Sequence, residues 1–208
     1  EGLSAEQIEL QRRVNPARRF APESLFAAQT VEDGYCFSLG GYAFRCIWTP
    51  GHTPGHMCLY MDREGILFAG DHILFDITPN ITMWRGTEDS LGNYLESLKK
   101  IRSLDLRLTL PAHRKNDMDV YERIRQIEQH HDRRIAQALD IVRANPGINA
   151  YGVGAQMSWK MRGRNWDEFP IQQKWFAIGE TIAHLDYLIR RGRVIRHDGE
   201  EKITYTAV

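Results

Sequence analysis

The sequence predicts an α+β chain in which a run of short strands gives way to long helices and a small helical module closed by a β-hairpin. Three observations carry that reading. Between residues 35 and 70 apolar residues alternate or run in short blocks, each ended by Gly, Pro or Asp, which is how strands are punctuated. From residue 87 the apolar spacing lengthens to that of helices. The chain then closes on "RVIRHDGEEKITYT", two strand-like runs about a turn.

Taken in order, Ser4-Ala5-Glu6-Gln7 has the form of a capping box and predicts a short helix near 5–13. Pro22 predicts the start of another over "ESLFAAQ". The stretch "GYCFSLGGYAFRCIWTP" alternates about Gly40-Gly41, a two-residue hairpin signal. "MCLYM" and "GILFAGD" read as two more strands across the turn Asp62-Arg63-Glu64-Gly65. Their apolar character, shared by "FRCIW", suits burial on both faces of a sheet. A helix is expected at 87–103, with Leu91, Leu95, Leu98 and Ile101 on its stripe, and "RLTLPAH" is a short strand ending at His113.

A long helix at 118–143 carries Val120, Ile124, Ile127, Ile135, Leu139 and Val142 on one face and stops at Asn145-Pro146-Gly147. A domain boundary is placed there, dividing 1–145 from 146–208. Beyond it come a short helical stretch at 150–159, a loop around "RGRNWDEFP" and a helix at 171–191 with Trp175, Ile178, Ile182, Leu185 and Ile189 on one face. With the hairpin turned at Asp198-Gly199, these make a winged-helix-like module.

The 208 residues, 42% of them hydrophobic, suffice for a substantial core. Lysine plus arginine equals aspartate plus glutamate, 27 each, so net charge does not announce a nucleic-acid or membrane binder. No apolar run approaches the ~20 residues of a membrane helix, and no signal sequence opens the chain, so a cytoplasmic location is expected. Glu1 stands where an initiator methionine would, which suggests a piece of a longer chain. Cys36, Cys46 and Cys58 form no CxxC pair and are an unsuitable disulfide framework; Cys58, inside "MCLYM", reads as a buried thiol.

The chemistry gathers around "TPGHTPGH", Thr49 to His56. His52 follows a strand, Asp71 ends "ILFAGD" and His113 ends "LTLPAH", so all three stand at strand ends, where sheet-based sites are assembled. Imidazole nitrogen and carboxylate oxygen suit zinc, iron or manganese, and the lack of cysteine at these positions argues against a purely structural zinc. Singly, each residue has a bland reading: a loop histidine that makes a hydrogen bond, or an aspartate that closes a turn. Their shared context favours a metal site.

In that order, "TPGHTPGH", "LFAGD" and "LPAH" resemble the metallo-β-lactamase superfamily, specifically its glyoxalase II-like hydrolases and the endoribonucleases with a small C-terminal winged helix. The resemblance runs from about residue 35 to the end. It implies an αββα sandwich of which this chain holds the C-terminal half, followed by the winged-helix-like domain. It also implies two divalent metal ions, zinc first, with His52, Asp71 and His113 as ligands, Asp71 bridging the ions as the catalytic carboxylate. His56 matches a position that binds no metal and instead fixes the loop or a ligand by a hydrogen bond. The mechanism implied is a hydroxide held on the metals attacking an ester-like carbonyl or a phosphodiester. Two departures stand out. The family's HxHxDH motif, which supplies the other ligands, is absent, and Pro-Ala-His replaces the commoner Pro-Gly-His. By itself the piece is therefore expected to hold metal weakly, to be inactive, and to associate with its missing N-terminal half or with itself.

Substrate contacts are sought at His72, beside Asp71, at Trp84 in the long apolar segment "ITPNITMWRG", and at His131. His131 also falls on the Ile127 to Ile135 stripe, which reads as core. The C-terminal module interleaves Lys160, Arg162, Arg164, Arg190, Arg191, Arg193 and Arg196 with Trp159 and Trp166, a pattern that serves a single nucleic-acid strand. Asp167, Glu168, Asp186, Glu200 and Glu201 offset it and favour a solvated face. The function expected is a metal-dependent hydrolase of a thioester, lactone or similar small ester. Single-stranded RNA cleavage by the same fold is one alternative, and a non-enzymatic, self-associating fragment is the other.

Overall fold

The structure, a computed structural model, describes residues 2–14, 27–160, 165–200 and 202–208. Two compact units emerge, one of residues 29–133 and one of 1–28 together with 134–208. The helix expected after Pro22 begins among residues outside the described ones.

The first unit is built on a sheet of β1 (Cys36–Leu39), β2 (Tyr42–Trp48), β3 (Met57–Met61), β4 (Ile66–Gly70) and β5 (Leu108–Pro111), in that order. The first four strands are antiparallel, and β5 joins β4 in parallel. Gly40 and Gly41, at φ 60° and 84°, make the tight turn that pairs Leu39 with Tyr42. The parallel closure follows from α2 (Ser90–Arg102), which returns the chain to the starting end of β4. Asp89 caps α2 by accepting from the Gly92 backbone N–H at 3.0 Å.

One sheet face is core: Ile47, Cys58, Tyr60, Leu67 and Ala69 are buried, as are Leu91, Leu98 and Ile101 of α2. The other face carries the aromatic row Phe37, Phe44 and Phe68, with ring centroids 5.1 and 6.1 Å apart. Phe68 and Leu108 are 38% and 42% exposed, so this face is open here; burial on both faces is the expectation for the complete sandwich and not for this half alone. Cys58 is fully buried and burial pushes its thiol pKa up to about 12, so it is a packed thiol and not a nucleophile.

The long helix α3 (Val120–Ala144) belongs to both units. The sequence places a boundary after it, at 145, whereas the compact units part inside it, between Arg133 and Arg134. The reason is packing: Ala138, Leu139 and Val142 from its last turns join one core with Ala150, Val153, Leu185, Leu188, Val194 and Tyr205. That second unit also contains α1 (Ala5–Val14), α4 (Ala150–Gln156), α5 (Ile171–Arg190) and the hairpin β6 (Val194–Asp198) and β7 (Ile203–Ala207). At α1 the capping box is reciprocal: Ser4 N–H donates to Gln7 Oε1 at 2.9 Å and Gln7 N–H to Ser4 Oγ at 3.2 Å. Among the described residues no helix is long and apolar enough to cross a membrane.

Candidate metal centre

Hydrogen bonding along the strand ends decides where the candidate residues lie. Ala112 N–H donates to Gly70 O at 2.9 Å, continuing the parallel pairing past β5 and setting His113 beside Asp71. Thr49 N–H donates to His56 O at 2.9 Å and closes the "TPGHTPGH" loop at its base. Asp71, His52 and His113 are thereby brought together. His113 Nε2 lies 2.9 Å from Asp71 Oδ1, and His52 Nε2 lies 3.8 Å from Asp71 Oδ2.

The tautomers follow from the partners. His52 Nδ1 sits 2.9 Å from the Asn80 carbonyl, an acceptor only, so Nδ1 carries a proton and the ring turns its Nε2 toward Asp71. A lone pair facing a carboxylate repels it unless a cation or a proton lies between them. Asp71 Oδ1 is buried and makes no aligned hydrogen bond among the described residues, despite the nearby His113 nitrogen. An orphaned carboxylate oxygen flanked by imidazole nitrogens is the donor set of a divalent metal, and these residues fit one. The two imidazoles approach opposite oxygens, so they bracket the carboxylate and do not converge on a single point. Accordingly, among the described residues no group of three or more His, Cys, Asp and Glu side chains is placed so that it could by itself hold a metal ion.

His56 has another task. Asp71 N–H donates to its Nε2 at 3.2 Å, so its Nδ1 carries the proton and donates to Thr49 Oγ1 at 2.8 Å. With both nitrogens committed, the ring joins the His52 loop to the turn that carries Asp71. Burial is the main cause that lowers its pKa, helped by His52 and opposed by Asp71, which keeps the neutral ring able to accept. The close approach requires Gly70, at φ 54°, since a Cβ there would meet His56 Nε2 at 2.6 Å.

The three residues sought as substrate contacts divide. Trp84 is 38% exposed and its indole N–H donates to His52 O at 3.0 Å, so it borders the site. His72 and His131 do not line it, because both are fully buried. His72 turns inward after β4 and packs against Tyr94, ring centroids 5.1 Å apart, and His131 meets the same tyrosine at 5.5 Å. Burial pushes the His72 pKa down to about 3, the neighbouring His56 adds to this, and the Ser97 backbone only partly offsets it. His72 is thus a neutral ring in the core. The alternation that marks "ILFAG" ends at Gly70, and periodicity could not tell which way the next ring turns.

Fold and site together define a member of a known class. Residues 5–113 match the family model described as metallo-beta-lactamase superfamily, and residues 165–207 match the one described as metallo-beta-lactamase-like, C-terminal domain. The chain belongs to the metallo-beta-lactamase superfamily, and the likeness reaches some thirty residues further toward the N-terminus than the motifs alone suggest. It is 26% identical over 190 residues to the lactamase-like protein adaB of Aspergillus niger, covering 74% of this chain and 58% of that protein. With the atrochrysone carboxyl ACP thioesterase of Aspergillus fumigatus it shares 33% identity over 128 residues, 62% of this chain and 38% of that protein. Among solved structures, a beta-lactamase domain protein from Burkholderia ambifaria is similar over 99% of this chain and 58% of its own, with TM-score 0.85 and 27% identity. A metallo-beta-lactamase family protein from Thermus thermophilus gives TM-score 0.74 at 27% identity, over 97% of this chain and 64% of its own. The chain thus spans a little over half the length of adaB and less of the thioesterase.

Proposed function

We propose that the protein is the C-terminal part of a metal-dependent thioester hydrolase. The observation that carries this reading is the Asp71 carboxylate bracketed by His52 Nε2 and His113 Nε2. The thioesterase named among its relatives supplies the substrate class. Bound divalent ions would supply Lewis-acid polarisation of the carbonyl and activation of water. His52, fixed by Asn80, His113 and Asp71 would hold these ions, and Trp84, exposed at the border of the site, would offer a flat apolar wall to the acyl group. Water adds to the acyl carbon, the carbon–sulfur bond breaks and the thiol leaves with a proton. The remaining ligands belong, on this reading, to a preceding half of the fold that also covers the aromatic row on the open sheet face.

Cleavage of RNA is disfavoured by the second unit's aromatic residues. Trp166 is 9% exposed with Lys174 over its ring, and Trp159 lies under Arg134 at 3.8 Å, so neither offers a free face to a base. Arg190 and Arg196 are paired with Asp186 and Asp198, while Arg162 and Arg164 lie outside the described residues. Assaying the full-length protein against acyl-pantetheine thioesters, aliphatic lactones and single-stranded RNA tests the proposal. Thioester cleavage abolished by chelation and restored by zinc is expected. RNA cleavage in its place, or thioester cleavage indifferent to chelation, would overturn it.

A further inference from the structure

Helix α2 carries no residue that the chemistry uses, yet it grips both site loops from within the core. Tyr94, at its centre, is fully buried, and its hydroxyl donates to the His72 carbonyl, the backbone group just after Asp71, at 2.9 Å. The backbone of the same residue presses on Gly51, just before His52: a Cβ at Gly51 would lie 2.7 Å from Tyr94 Cα. One turn on, Ser97 Oγ lies 3.0 Å from Pro50 O and shares its proton with Asn93 O at 2.8 Å. From α3, the buried Arg123 donates through Nε to Leu74 O at 2.6 Å and through Nη2 to Ile77 O at 2.8 Å. Buried donors on two helices thus fasten the carbonyls of residues 50, 72, 74 and 77, which belong to the two segments bearing His52 and Asp71.

Among these donors, Tyr94 touches the residues directly adjacent to both, Gly51 before His52 and His72 after Asp71. We propose that Tyr94 is a positioning residue that sets the distance between His52 and Asp71, and through it the fit of the centre to metal. Burial raises its pKa, so the hydroxyl stays a donor across the working pH range. The inference rests on the metal reading proposed above for the consequence, and on the hydrogen bond alone for the geometry.

Tyr94→Phe separates the two, because it keeps the ring against Gly51, His72 and His131 and removes only the hydroxyl. The control is Tyr121→Phe, a half-buried phenol of the same unit, whose oxygen accepts from Leu106 N–H at 2.9 Å and donates to Leu104 O at 2.6 Å. In the 208-residue chain, amide exchange at Asp71 and His72 is followed by NMR, and zinc affinity by titration calorimetry. In Tyr94→Phe the two amides are expected to exchange at least about tenfold faster and zinc to bind about 10- to 100-fold more weakly, as on loss of a group that orients a ligand. Tyr121→Phe is expected to change neither. Unchanged exchange in Tyr94→Phe overturns the proposal, as does an equal change in both variants, or faster exchange with unchanged zinc affinity. Should the 208-residue chain take up no zinc, as a centre lacking the preceding half's ligands would, the same titration on the full-length protein decides the metal consequence, and the exchange rates decide the positioning role.

Discussion

Asp71→Asn is expected to abolish the hydrolytic activity of the full-length protein, by at least about 10³-fold, while leaving the fold intact. The side chain is about one-third exposed, and its contacts in the described residues are the two imidazole nitrogens. The bond that shapes the turn is made by the backbone N–H to His56, which the substitution keeps. What is lost is the carboxylate charge between the two imidazole nitrogens, and with it the charge that holds cations there. Losing one preorganised electrostatic element commonly costs about 10²–10³ in rate, and a bridging carboxylate serves two ions, so the upper end or beyond is expected. Circular dichroism, melting temperature, metal content and turnover on one preparation check this. An unchanged turnover would make Asp71 a turn residue and nothing more, the bland reading of Gly-Asp at a strand end.

Gly51→Ala is expected to act the other way, on stability first. Gly51 has φ 145° and its missing side chain faces the backbone of Tyr94, which cannot move aside as the end of a flexible side chain would. A methyl group there must displace α2 or the loop, an overpacking cost of about 3 kcal/mol. For a chain of this size that corresponds to a melting temperature lower by roughly 10 °C. A thermal melt followed by circular dichroism measures it. A shift within about 1–2 °C, what an ordinary surface change produces, would mean that the loop does not lie against α2 as described.

The contrast between those residues shows what was legible in the sequence. Asp71, His52 and His113 are polar groups at the ends of apolar runs, and a strand end fixes where such a group must lie, so their meeting could be read from order and spacing. The hairpin at Gly40-Gly41 was equally open, because turn chemistry is local. Tyr94 was not: in "SLGNYLESL" it is one apolar position beside the stripe of Leu91, Leu95 and Leu98, and nothing local shows that its hydroxyl reaches a carbonyl in another segment. Arg123 hides in the same way, since a cation on a helix usually marks the wet face, whereas this one is buried on two carbonyls. The division inside α3 was hidden for a related reason. An unbroken apolar face from Val120 to Val142 does not record that it passes from one core to another.

On the proposed reading, His52, Asp71 and His113 are ligands of one metal centre. Anomalous diffraction at the zinc edge, from crystals of the full-length protein grown with zinc, tests it most directly. Density is expected within about 2.0–2.2 Å of His52 Nε2, His113 Nε2 and the Asp71 carboxylate, with that carboxylate between two ions. Zinc bound elsewhere, with Asp71 still in direct contact with His113, would contradict it.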